Sequence, residues 1–170
     1  TTYGTTTGQT GHFANEIMQK KGLPFAAYFS VKMPDTWTPT FDLSDLQKVR
    51  RINLNAEQEI DFVIKKIQSR FAGDYMRNKV PTILAKTFYG LDYDAMRKTS
   101  HFKVENFCIG CGLCAKNCPV SAIEIRNKKP VWVKDRCVMC LSCLHHCPKF
   151  AIQYENRTKK HGQYTNPNVK

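Results

Sequence analysis

The chain has 170 residues, 26 Lys and Arg against 14 Asp and Glu, and eight Cys, for a formal net charge of +12. That length holds one domain, or one small domain with something larger beside it. There is no run of 18 apolar residues, so no membrane-spanning helix is expected. No signal peptide is visible either, so the cysteines are expected in a reducing compartment, most simply the cytoplasm.

The basic excess is spread along the chain. Residues 1–100 carry 14 basic and 10 acidic side chains, residues 101–155 carry eight and four, and residues 156–170 carry four and none. No block is dense enough to demand nucleic acid. A solvated basic surface is the plain reading. An acidic redox partner is the alternative, and nucleic acid or anionic lipid is a third.

The chain opens with a loop of hydroxyls and glycines, Thr1 to Gly11. Phe13, Ala14, Ile17 and Met18 then recur at helical spacing, with Gly22 as a stop. Ala26 to Met33 reads as one buried strand ended by Pro34. The start is thus loop, helix and strand, a piece of an α/β layer. Residues 34–55 look irregular, with one or two helical turns between Leu43 and Ile52. A long helix is predicted after Asn55 as N-cap, with an apolar stripe of Ile60, Val63, Ile64, Ile67 and Phe71 and Gly73 as its stop. Thr82 to about Tyr89 reads as a shorter helix, and residues 90–101 as a polar connector. Phe102–Glu105 is expected to pair with Ile152–Glu155. Ala122–Ile125 and Val131–Val133 are expected to form a hairpin. Residues 156–170 read as a disordered basic tail.

All eight cysteines lie in two runs. Cys108, Cys111, Cys114 and Cys118 precede Pro119, and Cys137, Cys140, Cys143 and Cys147 precede Pro148. Each run reads C-x2-C-x2-C-x3-C-P, the spacing that holds [4Fe–4S] clusters. The second run repeats the first 29 positions later (108 to 137), and Val104, Ala122 and Ile123 recur as Val133, Ala151 and Ile152. Three close cysteines on a tight loop reach three irons of a cubane, and the fourth ligand comes from elsewhere. Gly110 and Gly112 let the backbone approach without a Cβ in the way. Structural zinc pairs two C-x2-C knuckles rather than a triplet, and a disulfide framework suits small secreted chains. Four cysteines already satisfy each cluster, so His145 and His146 read as exposed or supporting side chains. His12, His101 and His161 carry no signal. Phe107, Trp132, Phe150 and Tyr154 are expected in the core around the clusters.

Residues 102–154 closely resemble bacterial two-[4Fe–4S] ferredoxins. The resemblance implies that the fourth cysteine of each run serves the other cluster. Cluster I would take Cys108, Cys111, Cys114 and Cys147, and cluster II would take Cys137, Cys140, Cys143 and Cys118. Upstream, Thr2-Tyr3-Gly4, the helix, and Phe29-Ser30-Val31-Lys32-Met33-Pro34 followed by Trp37 resemble the proteins in which a flavodoxin-like domain precedes such a ferredoxin. In that family the Thr-Tyr-Gly loop lies beside a flavin ring, which implies Thr2, Tyr3 and Gly4 as an FMN loop. The stretch Gly4 to Thr10 also resembles a flavodoxin phosphate loop, and a loop without ligand is the third reading. A whole flavodoxin-like sheet needs about five strands, and one strong strand is legible here.

The expected fold is therefore α+β. A partial flavodoxin-like α/β segment (1–100) precedes a two-[4Fe–4S] ferredoxin domain (101–155) and the tail (156–170). FMN is expected only if the flavodoxin-like domain is completed by an upstream half. The expected function is one-electron transfer with redox partner proteins, more an electron carrier than an enzyme on its own. One alternative is a flavin-dependent oxidoreductase wired by the clusters. Another is a structural or nucleic-acid-binding iron–sulfur protein.

Overall fold

The computed structural model describes residues 1–168, with backbone alone for residues 88–92. The chain forms two compact units. The first holds residues 1–35 and 45–90, and the second holds 36–44 and 91 onward. The division predicted at residue 100 thus falls earlier, within a helix, and residues 36–44 belong with the second unit.

The first unit begins with β1 (Thr2–Tyr3) and α1 (Thr10–Gln19), followed by β2 (Ala27–Phe29) and β3 (Val31–Lys32). Two parallel pairs follow. Thr2 lies opposite Val31, and Ala27 lies opposite Gly73 of β4 (Gly73–Tyr75). Each pair is joined by a crossover that includes a helix, as parallel neighbours require. The single strand expected over Ala26–Met33 is broken at Ser30. That residue is buried, and its Oγ accepts the Arg77 N–H at 3.0 Å. One half of the stretch faces β4 and the other faces β1.

The long helix α2 runs Leu46–Gln68, nine residues earlier than its predicted cap at Asn55. Asp45 is the actual N-cap, its Oδ1 accepting the Lys48 N–H at 2.9 Å. No Gly or Pro lies between Asp45 and Gly73, so nothing interrupts the helix near Asn55. Gly73 opens β4 rather than ending α2. The expected apolar stripe stays largely in solvent, with Ile64 46%, Ile67 59% and Phe71 47% exposed. The Lys66 ammonium covers the Phe71 ring at 3.6 Å from its centroid. Helix α3 spans Thr82–Met96 and so takes in most of the expected connector.

The second unit holds the cysteines. β5 (Phe102–Val104) pairs antiparallel with β8 (Ile152–Tyr154), as expected. β6 (Ile123–Arg126) and β7 (Lys129–Trp132) form the hairpin. Its turn is only Asn127-Lys128, both at positive φ (48° and 58°), the pattern of a two-residue hairpin turn. Two single-turn helices, α4 (Leu113–Lys116) and α5 (Ser142–His145), follow the two cysteine loops. Phe102, Ala122, Leu141, Leu144, Ile152 and Tyr154 form the apolar core, with Trp132 and Phe150 packed against it. Trp132 stacks on Phe102 with ring centroids 5.0 Å apart. Phe107, expected in this core, is 58% exposed.

The tail differs from its expected disorder over residues 156–168; residues 169 and 170 lie outside the described residues. Thr158–Lys160 form a 3-10 turn, and Thr158 is fully buried. Its hydroxyl donates to Gln153 Oε1 at 2.6 Å and accepts the Tyr154 N–H at 3.0 Å. Leu43 N–H donates to the His161 carbonyl at 2.8 Å, and His161 Nδ1 meets the Thr38 carbonyl at 2.6 Å. A polar composition hid these contacts, because hydrogen bonds rather than apolar burial hold the segment in place.

Candidate metal centre

The two cysteine runs adopt one backbone path. Gly110 and Met139 have φ of 66° and 51°, and Gly112 and Leu141 have 79° and 54°. Ser121 and Phe150, just beyond the two Cys-Pro steps, have 48° and 50°. Each pair is offset by the sequence repeat of 29 (137 less 108). Hydrogen bonds repeat with the backbone. Ala122 N–H donates to Cys118 Sγ at 3.2 Å, and Ala151 N–H donates to Cys147 Sγ at 3.3 Å. Met139 N–H donates to Cys137 Sγ at 3.4 Å. Such bonds favour the anionic form of a sulfur ligand.

These loops border two small, almost wholly apolar cavities. One is lined by Cys108, Cys111, Cys114 and Cys147, together with Gly110, Gly112, Ile125 and Pro130. The other is lined by Cys118, Cys137, Cys140 and Cys143, together with Ala122, Leu141 and Trp132. Each cavity therefore gathers three thiols from one run and the fourth from the other. Gly110 is a tight point of the first cavity, since a Cβ there would lie 2.5 Å from the Lys128 carbonyl oxygen.

The donor set fits an iron–sulfur cubane. Among the described residues, no three His, Cys, Asp or Glu side chains converge as they would around a single metal ion. A cubane needs one thiolate for each of four separate irons, so its ligands enclose a volume rather than a point. Burial pushes the thiols of Cys114 and Cys137 up from their ordinary value. Cys143 is pushed up to about 12, by burial first and then by the negative charge of Cys140, Cys137 and Cys114. Cys114 lines one cavity and Cys143 the other, so the two thiol sets feel each other's charge. Iron binding must displace these protons.

His145 is buried rather than exposed, while His146 is exposed. Burial pulls the His145 ring below its ordinary pKa. The neutral ring bonds on both sides. Nδ1 accepts the Tyr164 N–H at 3.2 Å, so Nε2–H donates to the Thr36 carbonyl at 2.9 Å. Gln163 Nε2 donates to the carbonyls of Leu144 at 2.6 Å and Cys147 at 2.9 Å. The tail and residues 36–44 thus strap the turn that carries Cys147. The repeated Cys runs gave no sign of this strap, and His161 and Gln163 lie in a polar stretch without apolar periodicity.

The loop Thr2 to Thr10 lies in the first unit. Tyr3 is buried within β1, and a Cβ on Gly4 would lie 2.3 Å from the Asp35 carboxyl group. The hydroxyls that follow are already engaged. Thr5 Oγ1 donates to Asp35 at 2.8 Å, Thr6 Oγ1 to the Asn78 carbonyl at 2.5 Å, and Thr7 Oγ1 to the Arg77 carbonyl at 2.7 Å. These bonds tie the loop to residues 77–78 and to an acidic side chain.

Residues 107–151 match the family model of the 4Fe-4S dicluster domain, roughly a quarter of the chain. No curated protein and no solved structure matches the chain. Among the described residues, no helix is long and apolar enough to cross a membrane.

Proposed function

From an iron–sulfur domain with an electron-transfer role at residues 107–151, we propose that the protein carries single electrons through two low-potential [4Fe–4S] clusters. One observation carries this reading: two cavities, each lined by four thiols, with the fourth drawn from the other run. Cys108, Cys111, Cys114 and Cys147 would hold cluster I. Cys137, Cys140, Cys143 and Cys118 would hold cluster II. When bound, each cluster takes up and gives back one electron, with a potential on the order of −400 mV. The chain supplies the rest. Leu141, Trp132 and Ile152 keep water from the sulfurs, and the N–H groups of Ala122, Met139 and Ala151 offset their negative charge. Redox proteins would give and take the electrons, in a reducing compartment such as the cytoplasm.

A second reading, in which electrons pass to or from FMN, is favoured by the parallel β–helix–β arrangement of the first unit. It requires an upstream flavodoxin-like half, and the exposed Ile64, Ile67 and Phe71 would suit such cover. One assay separates the readings. The anaerobically purified chain is reconstituted with iron, sulfide and FMN, freed of excess ligand, and assayed per chain. About eight irons without flavin support the carrier. About eight irons with one flavin move the flavin enzyme ahead. Fewer than about two irons overturn both.

A further inference from the structure

We infer that the edge beside Cys111 is a docking face for an acidic redox protein; the inference rests on the two-cluster reading. Cys111 is exposed. Around it Phe107 and Ile109 are each 58% exposed, and Leu113 and Ile125 each 38%. Phe107 and Ile109 lie on the cysteine loop, and Leu113 opens α4. Ile125 joins them from the hairpin, its Cγ1 3.9 Å from where a Cβ on Gly112 would stand. Basic side chains rim this apolar centre. Lys116 follows the loop on α4. Lys128 lies in the hairpin turn, and its carbonyl abuts Gly110. Lys129 Nζ donates to the carbonyl of Asn106 at 3.0 Å. The carboxylates of this stretch are already paired, Glu124 with Arg126 at 2.9 Å and Glu105 with Lys159 at 2.6 Å. An apolar centre with a charged rim is the anatomy of a protein interface, and a basic rim steers acidic partners.

The second repeat serves as an internal control. Counting 29 positions on, Phe107, Leu113 and Ile125 become Arg136, Ser142 and Tyr154, and only Ile109 stays apolar and exposed, as Val138. Arg136 is paired with Asp94 at 3.1 Å, and Tyr154 is buried. Lys116 and Lys129 become His145 and Thr158, both buried, and Lys128 becomes Arg157, which is paired with Glu155 at 3.2 Å. The shared backbone therefore carries a basic apolar face at one cysteine loop and not at the other.

The test uses the full reconstituted chain, reduced anaerobically, with a purified flavodoxin of net negative charge as the acidic probe. One electron leaves the reduced chain and enters the oxidised flavin, which takes a proton from water and becomes the semiquinone. Stopped-flow rates should fall steeply with added salt. The double variant Lys116→Glu, Lys128→Glu should slow transfer about tenfold at low salt. The control Lys20→Glu, Lys21→Glu makes the same change in net charge just past the C-terminus of α1 and should leave the rate within about twofold. Equal slowing by both variants, or a salt-independent rate, would overturn the docking face. Iron content and bleaching on reduction are read first in the same samples. Their loss in the native chain would remove the two-cluster reading, whereas a flat rate with full iron removes only this inference.

Discussion

The two cysteine runs follow the same path with different residues. Where the first run has Gly110 and Gly112 at left-handed φ, the second has Met139 and Leu141. Glycine is the residue that adopts this conformation without strain; Met and Leu adopt it only where their surroundings hold them. Leu141 is 2% exposed, so core packing holds it there. At Gly110 the Lys128 carbonyl leaves no room for any side chain. The backbone is thus set by what four thiols must enclose, and the residue at each position by what lies behind it.

The largest effect follows from the exchange of fourth cysteines. Removing Cys118 and Cys137 together strikes a single cavity if the exchange holds, and the chain keeps about four irons. Removing Cys118 and Cys108 together then strikes both cavities and leaves almost none. Ligation within each run reverses the two outcomes. Iron and sulfide analysis of the two double Cys→Ser variants decides it.

The difference in loop residues gives a smaller effect. Gly110→Ala forces a Cβ to 2.5 Å from a backbone oxygen at φ of 66°. A cost of about 1–3 kcal/mol and the loss of roughly half the iron are expected. Met139→Gly removes a left-handed side chain at the matching position and should move stability by no more than about 1 kcal/mol, with iron retained. Denaturant unfolding and iron content of both variants check the contrast. Equal damage from the two changes would mean that the loops are not built on different supports.

The cysteine half was legible because its signals are covalent and local. Thiol spacing, two Cys-Pro steps and the 29-residue repeat (137 less 108) placed both loops, and alternating apolar residues placed both strand pairs. The first unit was less legible. Its strands are two or three residues long, too short for period-two alternation to register. Asp45 was passed over as a cap because the apolar stripe begins only at Ile60. Sequence pattern also placed Phe107 inside, where an apolar residue is the usual occupant, and the exposed cysteine edge gave it a different position. The tail was misread for the opposite reason. Thr158, His161 and Gln163 act through side-chain hydrogen bonds, which leave no periodicity in a sequence.

That strap makes the smallest and most selective prediction. Gln163 holds the carbonyls of Leu144 and Cys147, while the residue 29 positions earlier, Lys134, donates to the carbonyl of Val120 and not to those of Ala115 and Cys118. The tail therefore covers the Cys147 turn and has no counterpart at Cys118. Gln163→Ala removes two hydrogen bonds at the surface of a folded unit, so iron content should not change. It opens the Leu144–Cys147 turn to water. Reduction adds one negative charge to the site served by Cys147, and water stabilises that charge better than an apolar wall does. The potential of that site should rise, while the site served by Cys118 stays where it is. A redox titration followed by electron paramagnetic resonance separates the two. Two potentials that move together would mean that the strap loosens the whole unit. Two potentials that stay fixed would mean that the strap does not control water at Cys147, and the asymmetry between the runs would then rest on their loops alone.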